Sequence, residues 1–269
     1  MSIDESKRTP RSWLFAPGHD EKLLAKVFHA GADGVLLDLE DAVPPPLKDR
    51  ARDLVARAAS ERSCWVRVNR PLTDECRRDI AAVAGAAKGL RLPKVEAASD
   101  VEWVAQLAPG VALDCTIESA RGLLAAFDIA SHPACTSLAY GGLDFTADLG
   151  IAGGEQETLF ARSFLVVACR AAGKPPPSDG VHVLIDDDDG LRQEAEVARR
   201  LGFFGKSAIH PRQVPIINGV FRTSPAEVAW AERVLAAFEA AGGAASKLAD
   251  GEFVDKAVAE RARRLLSNL

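Results

Sequence analysis

Apolar residues recur along this chain in two rhythms. Short continuous runs rich in Val, Leu, Ile and aromatics alternate with longer stretches whose apolar positions fall three and four apart, so the first read as strands and the second as helices. Ser12–Ala16 is strand-like and closes on Pro17-Gly18; Asp20–Ala30 reads as a helix that Gly31 stops. Gly34–Leu39 is a second strand, and Leu47–Ala59 is a helix held back by the prolines before it. Cys64–Val68 and then Thr73–Ala87, with Thr73 as N-cap, make a third pair. Gly89–Leu92 with Ser99–Leu107, Val111–Ile117 with Ala120–Ile129, and Ser137–Tyr140 with Glu155–Ala172 continue the alternation. Gly180–Leu184 is a weak seventh strand before the helix Asp188–Leu201. Phe203–Ile209 is the eighth, before Gln213–Phe221. Strands alternating with helices argue for a parallel α/β sheet, and eight such units are what a (β/α)₈ or TIM barrel needs. A doubly wound open sheet is the alternative. Past the eighth unit come an amphipathic helix, Pro225–Ala241, a Gly242-Gly243 link and a last helix, Val254–Leu266. Residues 1–222 are thus expected to form the barrel, after a flexible arm at Met1–Thr9. Residues 223–269 would form a helical extension packing on the rim or on a neighbouring subunit.

With 269 residues and 48% hydrophobic content, the chain can bury a full core. Its net charge of −5, with both signs interspersed, argues against a nucleic-acid surface. No apolar run reaches about 18 residues, so no membrane span is expected. The polar start, Met-Ser-Ile-Asp-Glu-Ser, lacks the apolar core of a secretory signal. Five scattered cysteines without a CxxC pair read as reduced thiols. The expected location is therefore cytoplasmic. Only Cys76, in a polar segment, is expected to be exposed.

In a barrel the chemistry sits at the C-terminal ends of the strands. The second strand ends in three carboxylates, Asp38, Glu40 and Asp41. The third carries Arg67, alternating out of an apolar run and so pointing inward, where it needs an anion: Glu40, Asp41 or a substrate carboxylate. The fourth ends at Lys94, the fifth at Glu118, the sixth near Asp144 and the eighth at His210. Two carboxylates at neighbouring strand ends, beside small residues, suit magnesium, which takes one or two protein carboxylates and leaves room for substrate oxygens. Asp38, Glu40, Asp41 and Lys94 would then contact substrate or orient the groups that do. His210 can equally cap a loop, and Asp186–Asp189 reads as a helix N-terminus rather than a calcium loop. No dinucleotide glycine fingerprint, Walker loop or nucleophile elbow is present, and no trio of histidines favours zinc. A hard-metal site with an arginine suits a 2-keto acid or its enolate.

Seven stretches, Arg11–Gly18, Asp38–Val43, Val66–Asn69, Leu92–Val95, Ile117–Gly122, Gly141–Gly150 and Gly202–Pro211, form a recognisable set. Together they resemble the citrate lyase β-subunit-like branch of the HpcH/HpaI aldolase superfamily. The resemblance implies a magnesium-dependent barrel, commonly trimeric or built of trimers, hence a homotrimer or hexamer. It implies Glu118 and Asp144 as metal ligands and Arg67 as the residue on the keto-acid or acyl oxygen. Leu143 stands where the family usually has an acidic residue. The looser stretch Asp250–Ala257 resembles a C-terminal motif whose aspartate, matched by Asp255, reaches a neighbouring subunit's site as acid/base. The implied activity is cleavage or formation of a 3-hydroxyacyl-CoA thioester of the malyl-CoA or citramalyl-CoA kind, with a keto acid as the other partner. Thioester hydrolysis, keto-acid aldol cleavage and a role as one subunit of a multi-component lyase are the alternatives. Arg11, Lys94 and Arg121 are candidates for substrate or CoA contact.

Overall fold

The computed structural model describes residues 9–267. They fall into two compact units, one from Thr9 to Phe221 and the other from Arg222 onward. Of the expected arm at Met1–Thr9, all but Thr9 lies outside the described residues. In the first unit, eight parallel strands close in chain order: β1 (Ser12–Pro17), β2 (Gly34–Asp38), β3 (Trp65–Arg67), β4 (Gly89–Leu92), β5 (Ala112–Ile117), β6 (Cys135–Tyr140), β7 (Ser178–Asp179) and β8 (Gly205–Ala208). The expected α/β barrel is the fold. An open sheet is excluded because β8 pairs with β1, from Ser12 opposite Lys206 to Leu14 opposite Ala208.

Successive strand residues face opposite sides, and this chain uses the two sides differently. One set, including Leu37, Val66, Leu90, Leu113 and Leu138, is fully buried against the helices. Each such side chain contributes about 1.5–3 kcal/mol through burial. The other set faces the barrel interior and is aromatic and polar. Trp13 and Trp65 meet edge to face, with ring centroids 5.5 Å apart. Gly89 lies opposite Trp65, and a Cβ there would sit 2.5 Å from the indole, so glycine is what admits the ring. Above this layer the register aligns Asp38, Arg67, Arg91, Asp114 and Ser137 across β2 to β6. The aromatic layer lies nearer the strand N-termini, and the polar layer leads towards the strand C-termini.

Three expectations need correction. The seventh strand is Ser178–Asp179, not Gly180–Leu184. Asp179 is buried and held by Arg162 at 3.1 Å and Lys206 at 2.9 Å, whereas Val183, Leu184 and Ile185 are exposed. The strand is polar, so its apolar neighbours drew the reading. Cys76 is fully buried, on the inner face of the helix Asp74–Val83. The helix expected over Ala120–Ile129 is two, Ala120–Leu124 and Ala126–Ser131. All five cysteines are free and buried, and no described helix is long and apolar enough to cross a membrane.

The second unit has its own small core, including Val234, Phe238, Leu248 and Val254. The helix Pro225–Ala240 opens with a capping box, Ser224 and Glu227 exchanging side-chain and backbone bonds. A two-residue antiparallel pair, Ser246–Lys247 with Phe253–Val254, leads into the helix Lys256–Leu266.

Candidate active site

The carboxylates after β2 are built into their turn. Asp38 accepts the amides of Glu40 at 2.9 Å and Ala42 at 3.1 Å. Its two oxygens also take the fork of Arg67, Nε and Nη2 each at 2.7 Å. Lys48 reaches under the same turn, donating to the carbonyls of Leu39 and Glu40 and to Asn69 Oδ1 at 2.7–2.8 Å. Arg67 lies over the Phe15 ring, 4.8 Å from its centroid, and Nη1 is 3.2 Å from Glu40. Burial opposes the guanidinium charge, but Asp38 and Glu40 outweigh it and raise its pKa. Glu40 itself is raised, by burial first, despite Arg67 and Lys94. The inward partner of Arg67 is thus chiefly Asp38; Asp41 pairs with Lys94 instead.

Lys94 has a left-handed backbone, φ +53°, which costs a residue with a Cβ on the order of 1–3 kcal/mol. This conformation lets its amide donate to Glu118 Oε2 at 3.2 Å while its ammonium donates to Glu40 at 2.6 Å and to Asp41 at 3.2 Å. Burial works against the ammonium, and Glu40 and Asp41 more than offset it, so the lysine stays charged.

Glu118 follows β5 and is 6% exposed. Burial first, then the charges of Glu40 and Asp144, push its carboxyl up to about 8. Gly141 is what makes room for it: a Cβ there would sit 2.2 Å from Glu118 Cγ. Asp144 is in the first turn of the helix Gly142–Leu149, which no side chain caps. That helix was not foreseen, because its glycine pair reads as a loop. Its first hydrogen bond runs from the Phe145 amide to the Gly141 carbonyl, so the amides of Gly142, Leu143 and Asp144 precede it, as at any helix N-terminus.

A cavity of about 80 Å³ connects these groups. Arg67, Glu118 and Asp144 line it at the strand ends, and Phe15, Thr116, Arg91 and Ser207 line it farther back. Glu118 and Asp144 fit a magnesium ion. They are oxygen donors, the charge of Asp144 adds to the cost of ionising Glu118, and magnesium asks for no more than two carboxylates. Among the described residues no cluster of three or more His, Cys, Asp or Glu is placed to hold a metal.

The structure therefore brings together Asp38, Glu40, Asp41, Arg67, Lys94, Glu118 and Asp144. It does not bring in Arg11, which precedes β1 and grips Asp33 at 2.7 Å at the other end of the strands; its charge, at the head of the matching stretch Arg11–Gly18, had suggested a contact. Asp255 belongs to the second unit, where it caps the last helix by accepting the Val258 amide at 2.9 Å. His210 accepts the Arg212 amide through Nδ1, a loop role. Arg212 in turn pairs with Asp186 and Asp188, and Asp187 caps the helix after them. Arg121 is exposed on a short helix. Sequence reasoning missed Arg91, Thr116 and Ser207. Arg91 carried the same signal that found Arg67, a charge alternating out of an apolar strand.

A family model described as HpcH/HpaI aldolase/citrate lyase matches residues 11–211. A (3S)-malyl-CoA thioesterase of Cereibacter sphaeroides is 39% identical over 96% of this chain and 93% of its own. A citrate lyase subunit beta-like protein of Deinococcus radiodurans is 34% identical, covering 96% of each chain. Among solved structures, the protein CitE of Mycobacterium tuberculosis, in complex with magnesium, acetoacetate and coenzyme A, superposes with a TM-score of 0.83. It is 32% identical over 98% of both chains.

Proposed function

The chain belongs to the HpcH/HpaI aldolase/citrate lyase family, and from that membership we propose that it is a magnesium-dependent carbon–carbon lyase acting on a 3-hydroxyacyl-CoA thioester of the malyl-CoA or citramalyl-CoA type. The observation that carries the reading is the buried Glu118 carboxyl lining one cavity with Asp144, at the start of a helix that no side chain caps. Such a pair is poorly satisfied by itself and well satisfied by a divalent cation and an anionic ligand.

Held by Glu118 and Asp144, magnesium would supply Lewis-acid charge to the oxygen on the carbon that becomes the keto carbon. The amides of Gly142, Leu143 and Asp144 take the carboxylate of that half of the substrate. Arg67, fixed by the Asp38 fork, holds a cation against the oxygen where negative charge develops, in a site dry enough for that charge to count. Lys94 and Glu40 keep Arg67 and Glu118 in place. In cleavage the bond between the hydroxyl-bearing carbon and the acyl α-carbon breaks. The hydroxyl proton leaves, the oxygen becomes a carbonyl, and the α-carbon takes a proton. Asp255 of a neighbouring subunit is the group we assign to that proton, within a homotrimer or hexamer working in the cytoplasm. The family resemblance of residues 250–257 and the five free thiols support this part.

Hydrolysis of the same thioester is a second reading, favoured by the 39% identical relative named for that activity. Incubating the protein with malyl-CoA and magnesium and separating the products tests both. Acyl-CoA and a keto acid support the lyase. Free CoA and the hydroxy acid replace it with the hydrolase. Turnover that persists after chelation refutes both as written.

A further inference from the structure

Behind the strand-end carboxylates the cavity reaches a polar floor that the proposed chemistry does not use. Thr116 is on β5, two residues before Glu118, so its backbone lies roughly 7 Å farther back along the chain at about 3.3 Å per residue. It is 6% exposed and lines the cavity, and its hydroxyl has no hydrogen-bond partner. Buried hydroxyls without partners are uncommon. Beside it is Arg91, 2% exposed and 4.8 Å from the Trp13 centroid. Asp114 takes the Arg91 Nε–H at 2.6 Å and pairs with Nη2. A guanidinium has five N–H donors. The rest of this one meets only the hydroxyls of Ser207 at 3.4 Å and Ser178 at 3.5 Å, the limit of a hydrogen bond.

The floor thus offers spare N–H donors from Arg91 and two hydroxyls, Thr116 and Ser207. Asp114 already balances the arginine, so a second carboxylate would bring an uncompensated charge into a buried place, which is costly. A neutral hydroxyl is matched on both counts, accepting from Arg91 and donating to Thr116. Resting on the reading of the site as a magnesium and keto-acid site, we propose that Arg91, Thr116 and Ser207 form a side pocket for a hydroxyl on the tail of the keto-acid half. The preferred 2-keto acid accordingly carries a hydroxymethyl rather than a methyl group. Glu118, Asp144 and Thr116 line one cavity, which puts this floor in the same space as the tail of a keto acid held at the two carboxylates. A site built to hydrogen-bond a hydroxyl rejects the analogue lacking it far more strongly than an apolar pocket rejects a missing methylene.

The test is calorimetric binding, with magnesium, of pyruvate, hydroxypyruvate, 2-oxobutyrate and oxaloacetate. Hydroxypyruvate and 2-oxobutyrate match in size, so their ratio isolates the hydroxyl. Wild type should bind hydroxypyruvate at least tenfold more tightly than 2-oxobutyrate. Thr116→Val, which removes only a hydroxyl from a near-isosteric side chain, and Ser207→Ala should each bring that ratio within threefold of unity. A ratio near one in wild type overturns the proposal, as does a preference that survives both variants. Tightest binding by oxaloacetate also overturns it, by making the floor an anion site. Magnesium-dependent binding of pyruvate without hydroxyl selection leaves the keto-acid reading standing and removes only this pocket. Failure of all four to bind in wild type removes the keto-acid reading and the pocket with it.

Discussion

As the proposed magnesium ligand, Glu118 would couple metal binding to proton release. Its carboxyl stands at about 8, against 4.5 for an unperturbed glutamate. At about 1.4 kcal/mol per pKa unit, ionising it in the metal-free protein costs on the order of 5 kcal/mol. The sign follows from proton counting. Between about pH 4.5 and 8 the folded protein keeps this proton and the unfolded chain does not, so metal-free stability falls as pH rises through that window. Magnesium needs the carboxylate, so its binding expels the proton below pH 8. Its Kd should therefore fall about tenfold per pH unit from pH 6 and level off above 8. Calorimetry at pH 6.5 in two buffers of different ionisation enthalpy should report close to one proton released per ion, and Glu118→Gln should release none. A pH-independent Kd between 6 and 8, with no proton release, would refute the argument that burial and neighbouring carboxylates hold Glu118 protonated.

Three further outcomes follow from the geometry. Arg67→Lys keeps the charge but loses the two 2.7 Å bonds to Asp38; steady-state kinetics should show kcat down roughly a hundredfold or more with a much smaller change in KM. Gly141→Ala forces the Glu118 side chain aside, so titration should show magnesium binding weakened more than tenfold, alongside a lower melting temperature. Arg91→Leu leaves the Asp114 carboxylate without its cation inside the barrel, with Ser137 still donating to it, and should cost about 3–5 kcal/mol in urea unfolding. Arg91→Leu/Asp114→Leu should recover most of that, and equal losses in single and double variants would contradict the pairing.

The barrel was legible because its outward strand faces are continuous apolar runs, as at Val66, Leu90 and Leu113, and each is followed by a helix of recognisable period. β7 was not, because its two residues are polar and are stabilised by Arg162 and Lys206 from elsewhere in the chain, which no local pattern reveals. The strand-end rule placed Glu118, Asp144, Arg67 and Lys94 in one region. What it could not supply was pairing: Asp38, not Asp41, grips Arg67, and the reason is which residues register opposite one another on β2 and β3. Arg11 was chosen for its charge in a matching stretch, although its place just before Ser12 already set it at the N-terminal end of β1. Arg91 shows the converse, since its alternation was visible but only the closed barrel turns an inward arginine into a cavity wall.

The central claim is that Glu118 and Asp144 create a magnesium-dependent seat for a 2-keto acid. Thermal unfolding of wild type and Asp144→Ala, with pyruvate and with or without magnesium, tests it most directly. At a hundredfold excess over Kd a ligand adds about 2.7 kcal/mol to stability. The wild type should show a clear rise in Tm with pyruvate only when magnesium is present, and Asp144→Ala should show none. An equal rise in the variant, or in wild type under chelation, or no rise in any sample, would contradict the claim.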